Sequence, residues 1–326
     1  MKALLAKLTS NRITAALTGA FVTAVIQSSS VTTVLVVGFV SAGMMTMTQS
    51  IGVIMGANVG TTITAQIVAF KVEEAALWMI AIGFFTLFTG KRERVKNLGS
   101  MLMGLGLIFY GMGLMGGAMK PLRSFDPFLQ WMTRMDQPLL ALLVGALFTA
   151  LVQSSSATTA IVITMASQGL ITLEAGIALA FGANIGTCIT AQLAALGKPR
   201  EALRAAVVHL VFNLGGVLIW LPFIALLAKV VTGISPTQPE LVGAARLAAE
   251  VPRQIANAHT LFNVSNMLLF LGFTGTLARI VNWMVPETAQ DEGKVIQPRY
   301  LDDNLLDTPS LALQRARLEI GHMGEI

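Results

Sequence analysis

Charge is what this sequence has least of. Of its 326 residues only 12% are Asp, Glu, Lys or Arg, and none lies between Ile13 and Phe70. Soluble domains carry roughly a quarter of such residues, so a soluble globular class is excluded. The single cysteine, Cys188, excludes an intrachain disulfide. Period-two alternation over ~10-residue segments is missing, which makes a β-barrel a poor alternative. Lys2, Lys7 and Arg12 precede a long uncharged run with no cleavage-site pattern after a short one, so no cleavable signal peptide is expected. Nor is there a nucleophile–base pair or phosphate-handling catalytic set, and an enzyme is not expected. What remains is 54% hydrophobic residues and 30 glycines, in apolar stretches well beyond the ~20 residues that span a bilayer. The composition predicts an all-α polytopic membrane protein. Its formal charge of +5 is then assigned to basic loops rather than to nucleic-acid binding.

Inside the first uncharged run stands a polar cluster, "VIQSSSVTT" at 25–33, and a second follows as "LVQSSSATT" at 151–159. Gln27 and Gln153 are 126 residues apart, and so are the asparagines of "GANVGTTITAQ" (56–66) and "GANIGTCITAQ" (182–192). The register runs without insertion from Gly19/Gly145 to Ala69/Ala195. Roughly half the aligned positions match, mainly polar residues and glycine, as in a duplicated unit that shares a binding site.

Hydropathy gives a coarse map. Residues 13–26 and 31–45 are each short for a span, so they read as a re-entrant hairpin with QSSS at its tip. Spans are expected at about 51–70, 75–90 and 98–118, a second hairpin at 138–170, and further spans near 177–196, 203–230 and 257–284. The dense basic loop 91–96, "KRERVK", is assigned to the cytoplasm. With it go the first hairpin's base, Lys198, Arg200, Arg204 and the tail; 119–137 and 231–256 are assigned outside. Three spans between the hairpins invert one unit relative to the other, giving two inverted-topology repeats. The expected division is 1–118, 119–285 and a cytosolic tail at 286–326. The counterpart of residues 107–122 would precede Met1, so the first repeat is expected to lack its leading helix.

A hairpin tip in hydrocarbon needs partners for its backbone groups, each costing several kcal/mol if unsatisfied. The second arm's N-terminus, Ser29 to Thr33, offers N–H groups, positive dipole and hydroxyls, a set suited to an oxyanion. The first arms end at Gln27 and Gln153 with carbonyl oxygens suited to a cation. Gly56 and Gly60 are expected to allow local unwinding, with Asn58 and Thr61 supplying oxygens nearby, and the second unit to be broken likewise. Neither duplicated core holds a Lys or Arg, so a bound multivalent anion requires cations beside it.

Paired QSSS motifs, each followed by GAN-[VI]-GT, resemble the sodium-dependent phosphate cotransporter family of type II transporters and their bacterial relatives. The resemblance covers about residues 19–285. It implies a secondary active transporter that couples sodium entry to phosphate uptake across the bacterial inner membrane. It also implies a substrate site at Gln27, Ser28, Ser29, Ser30, Gln153, Ser154, Ser155 and Ser156, to which the second-arm hydroxyls of Thr32 and Thr158 are expected to add donors. Sodium is assigned to Gln27, Asn58, Thr61, Thr62, Gln153, Asn184 and Thr187. Cys188 stands opposite Thr62, so this position is unequal between the repeats. Expected partners are inorganic phosphate, sodium ions and the bilayer, with homo-oligomerisation allowed. No cofactor beyond sodium as coupling ion, no transition metal and no nucleic acid is expected.

Two smaller features are "HLVFN" at 209–213 and "HTLFN" at 259–263, each placing His and Asn on one helical face. Their favoured reading is hydrogen bonding between helices. In the tail, Asp307 or Thr308 before Pro309 opens a short helix expected at 309–321. In bacterial relatives such a segment leads into a helical domain similar to the phosphate regulator PhoU, and the tail reads as a truncated lead-in to one. Competing readings are a phosphate-sensing membrane scaffold and a transporter or channel for another oxyanion.

Overall fold

The computed structural model describes residues 2–70, 73–287 and 309–323, and every regular element among them is helical. The chain divides into two units, Met1–Met284 and Val285–Ile326. The first contains α1 (Lys2–Leu8), α2 (Arg12–Ile26), α3 (Ser29–Ser41), α4 (Met47–Val68), α5 (Ala76–Thr89), α6 (Glu93–Met119), α7 (Asp126–Arg134) and α8 (Pro138–Val152). It continues through α9 (Ser155–Ser167), α10 (Leu173–Gly186), α11 (Cys188–Ala194), α12 (Arg200–Trp220), α13 (Ile224–Ile234), α14 (Gly243–Leu271) and α15 (Thr274–Met284). The second unit contains α16 (Pro309–Met323), so the helix expected in the tail forms. Its expected caps, Asp307 and Thr308, lie outside the described residues.

Among the described residues four helical stretches are long and apolar enough to cross a bilayer: Met47–Val68, Glu93–Ser124, Leu173–Ala194 and Arg200–Ile234. Two bent pairs, α7–α8 at 105° and α14–α15 at 85°, bring the number to six if each is one span. This is an all-α polytopic membrane protein. α2 and α3 have 15 and 13 residues, about 20 Å each, too short to cross a ~30 Å hydrocarbon core singly.

Local chemistry fixes the ends of these helices. Asn11 caps α2 by accepting from the amides of Ile13 and Thr14, while Thr14 Oγ1 accepts from the Asn11 amide. Thr46 and Gln49 make the same reciprocal box at α4. Glycine then sets the packing. A Cβ on Gly56 would sit 1.9 Å from the carbonyl oxygen of Ala16, and on Gly182, 2.1 Å from that of Leu142. Gly19 and Gly145 meet Val53 and Leu179 in the same way, at 2.0 and 2.3 Å. These positions differ by the repeat offset, so α2 lies on α4 as α8 lies on α10.

The expected unwinding at Gly56 and Gly60 is therefore corrected. α4 is unbroken from Met47 to Val68, and neither glycine has positive φ. They are small so that backbones can touch, a need that sequence spacing alone does not separate from flexibility. In the second copy of the duplication the helix also runs through Gly182 and Asn184, and breaks only at Thr187 between α10 and α11.

Four expected segments change as well. The 75–90 span is a helix of only 14 residues, α5, about 21 Å long, laid along α6 at Gly83 and Gly99. The single span at 257–284 is instead a helix from Gly243 that turns 85° before Thr274. Much of the 231–256 loop is thus helical. Its charges, Arg246, Glu250 and Arg253, hid the periodicity, yet Arg246 Nε pairs with Glu250 at 2.8 Å and both stay on the helix. The 119–137 loop likewise contains amphipathic α7.

Outward faces repeat too. Leu17, Phe21 and Val25 on α2 are exposed, as are Leu143, Leu147 and Leu151 on α8, the same three positions one repeat later. Such four-residue stripes of large apolar side chains suit lipid. Inside, Phe181 on α10 meets Phe262 on α14 with ring centroids 4.3 Å apart.

Candidate functional site at the hairpin tips

Each hairpin turns on one glutamine. Gln27 (φ 59°, ψ 25°) and Gln153 (φ 57°, ψ 25°) are the only non-glycine residues with positive φ among those described. A left-handed conformation costs a side-chain-bearing residue about 1–2 kcal/mol, so its presence at both tips marks a required turn. Each glutamine amide donates to the carbonyl four residues back, Thr23 or Thr149, at 2.7 Å. Ser28 and Ser154 are extended and cap the outgoing helices, accepting from the amides of Val31 at 3.3 Å and Ala157 at 3.2 Å.

A second bond closes each hairpin. Thr23 Oγ1 donates to Thr32 Oγ1 at 2.9 Å, and Thr149 Oγ1 to Thr158 Oγ1 at 2.8 Å. Thr32 and Thr158 in turn donate to the carbonyls of Ser28 and Ser154, at 3.1 Å each. Four of the expected substrate residues, Ser28, Ser154, Thr32 and Thr158, thus spend their polar groups on the turn. Ser29 and Ser155 are buried at 4% and 5% exposure, and their hydroxyls bond no described residue. The first two amides of each outgoing helix, at Ser29 and Ser30 and at Ser155 and Ser156, have no acceptor within the helix. Free amides and free hydroxyls therefore converge at each tip, and converging donors are what a multivalent oxyanion needs.

The tips also reach across the duplication. Ser30 Oγ lies 3.2 Å from Thr187 Oγ1. α3 packs on α11 and α12, while α9 packs on α4 and α14. Each second arm therefore touches helices of both repeats, α3 also meeting α4 and α9 also meeting α6 and α10. Among described residues no hydrogen bond joins the two tips to one another.

The expected cation residues are placed unevenly. Gln27 Nε2 donates to the Ala24 carbonyl and its Oε1 accepts from Thr64 Oγ1 at 2.8 Å, whereas Gln153 is exposed. Thr61 and Thr62 donate to the carbonyls of Ala57 and Val59, at 3.1 and 2.8 Å. A hydroxyl that has donated still has lone pairs for a cation. Asn58 and Asn184 are buried, each bound to an asparagine on a later helix. Asn58 Nδ2 donates to Asn213 Oδ1 at 2.6 Å, and Asn184 Nδ2 to Asn263 Oδ1 at 3.2 Å. The His-x3-Asn segments are thus the partners of the GAN motifs, as their favoured reading held. Sequence reasoning did not connect them to particular asparagines. Its usable signal was two like segments beside two like motifs. Thr64 was also missed.

A model of the Na+/Pi-cotransporter family matches residues 1–117 and 123–235. The chain is 34% identical over 231 residues to the uncharacterized protein YqeW of Bacillus subtilis, covering 70% of this chain and 74% of that one. It is 29% identical to the putative inorganic phosphate export protein YjbB of Escherichia coli K12, along its whole length but over only 58% of YjbB. It is 36% identical over a 143-residue alignment to human sodium-dependent phosphate transport protein 2B, covering 39% of this chain and 20% of that one. No solved structure matches. With the duplicated tips on one side and a family match over more than two-thirds of its length on the other, the chain belongs to the Na+/Pi-cotransporter family.

Proposed function

We propose that the chain is a secondary active transporter that carries inorganic phosphate across the bacterial cytoplasmic membrane together with sodium. The observation that carries this reading is the pair of hairpin tips, each presenting a buried serine, Ser29 or Ser155, whose hydroxyl bonds no described residue, beside free helix-start amides. In this reading the hairpins are re-entrant, the repeats are inverted, and Ser29, Ser30, Ser155 and Ser156 surround one anion. The duplicated cores supply no Lys or Arg. Sodium ions at Gln27, Asn58, Thr61, Thr62 and Thr187 then balance the anion, because an isolated multivalent charge in the interior is prohibitively costly.

Direction follows the sodium gradient, which drives uptake into the cell. Export is a second reading, favoured by the printed name of YjbB, which this chain resembles along its whole length. Labelled phosphate in proteoliposomes tests both. Accumulation driven by an inward sodium gradient, lost when potassium or choline replaces sodium, supports the proposal. Phosphate movement indifferent to sodium would refute the coupling, and loss of internal phosphate under the same gradient would favour export.

A further inference from the structure

The His-x3-Asn segments fix which way the motif asparagines face. Asn213 Nδ2 donates to the backbone carbonyl of His209 at 2.9 Å. A carbonyl only accepts, so that atom is nitrogen and the other is oxygen. The atom of Asn58 that lies 2.6 Å from Asn213 Oδ1 must then be its amide nitrogen. Asn58 Oδ1 is left on the opposite side of the group, with no hydrogen bond to any described residue. Asn263 repeats the logic: its Nδ2 donates to the His259 carbonyl at 2.8 Å, and its Oδ1 accepts from Asn184. Here the remaining oxygen is not free. Asn184 Oδ1 lies 3.3 Å from His259 Nε2, so Nε2 carries the hydrogen, and buried Nδ1, which has no partner, is the bare nitrogen. His209 offers no matching bond to Asn58, since neither of its ring nitrogens has a partner.

We propose that these histidine–asparagine pairs are positioning residues that make the two repeats unequal toward the coupling cation. Asn58 Oδ1 serves as a cation ligand, and His259 withdraws Asn184 Oδ1 from that role. The inference rests on the sodium-coupled reading and assigns it to one repeat. An N–H aimed at Asn184 Oδ1 brings its positive end to the oxygen a cation would need. A second difference points the same way. One turn beyond Asn58 stands the hydroxyl of Thr62, whereas one turn beyond Asn184 stands the thiol of Cys188, bonded to the carbonyls of Asn184 and His209. A hard cation takes oxygen over sulfur.

Sodium binding to the full chain in lipid nanodiscs, measured by calorimetry at saturating phosphate, tests this. Asn58→Leu is expected to weaken sodium binding by about 10-fold or more. Asn184→Leu should change it by less than about threefold. Equal losses, or a greater loss at Asn184, would overturn the assignment. The unmodified protein gives a readout that does not depend on either variant folding. In 15N spectra of histidine-labelled chain, the signal removed by His259→Gln should be that of a ring with its hydrogen on Nε2, and a ring protonated at Nδ1 alone overturns the cap. If the unmodified chain binds no sodium, the coupling reading is what fails, and the ring spectrum still decides whether His259 holds Asn184.

Discussion

At the scale of residues, the serines that cap differ from those that are free. Ser29 and Ser155 are buried with unpartnered hydroxyls, so each should donate to a bound anion. Ser29→Ala and Ser155→Ala are expected to weaken phosphate binding by roughly 10- to 150-fold, the worth of one hydrogen bond to a charged group. Equilibrium binding to purified protein checks this, and wild-type affinity in either variant would remove that tip from the site. Thr23→Val should behave differently. It breaks the clasp to Thr32 and should lower stability by about 1 kcal/mol, seen as a reduced thermal midpoint with phosphate affinity little changed. The sequence showed the QSSS clusters because four polar residues interrupt an uncharged run. It did not show how their labour is divided. Thr32 is spent on Thr23, nine residues back across a turn whose existence depends on the left-handed Gln27.

Among elements, close contact governs. Gly56 and Gly182 let α4 and α10 touch the backbones of α2 and α8. Gly56→Val and Gly182→Val should force those helices apart and cost more than about 3 kcal/mol, leaving little monodisperse protein on size-exclusion in detergent. Gly38→Ala is the control: a Cβ there meets nothing within 4 Å, and normal yield is expected. Helix existence was legible along most of the chain, since long apolar runs permit little else in a bilayer. Helix ends were less so. The polar first half of α14 reads as a loop until Glu250 is seen holding Arg246 and the Gln238 amide, contacts that lie in tertiary structure rather than in periodicity.

For the whole molecule, the duplication was the clearest signal, because an ungapped offset of 126 residues carries through motifs, glycine contacts and outward stripes alike. Topology remains the proposal it opens. In a Cys188→Ala background, Arg94→Cys should resist impermeant thiol labelling from outside intact cells, and labelling there would reverse the orientation. Coupling should also be reciprocal: if sodium tightens phosphate binding, phosphate must tighten sodium binding by the same factor. Paired titrations check this, and unequal factors would mean that the two ligands do not share one binding equilibrium. The glycine contacts have a mechanical consequence. The first arm of each hairpin is clamped to the helix that follows in its own repeat, while the second arm rests on helices of both repeats. A hairpin so divided is a strap between two bodies, with the single residues Gln27 and Gln153 as its buckles. Were the bodies to shift, the strain would fall first on those two left-handed turns, where the free serines stand, so the place that grips the anion is also the place that feels the movement.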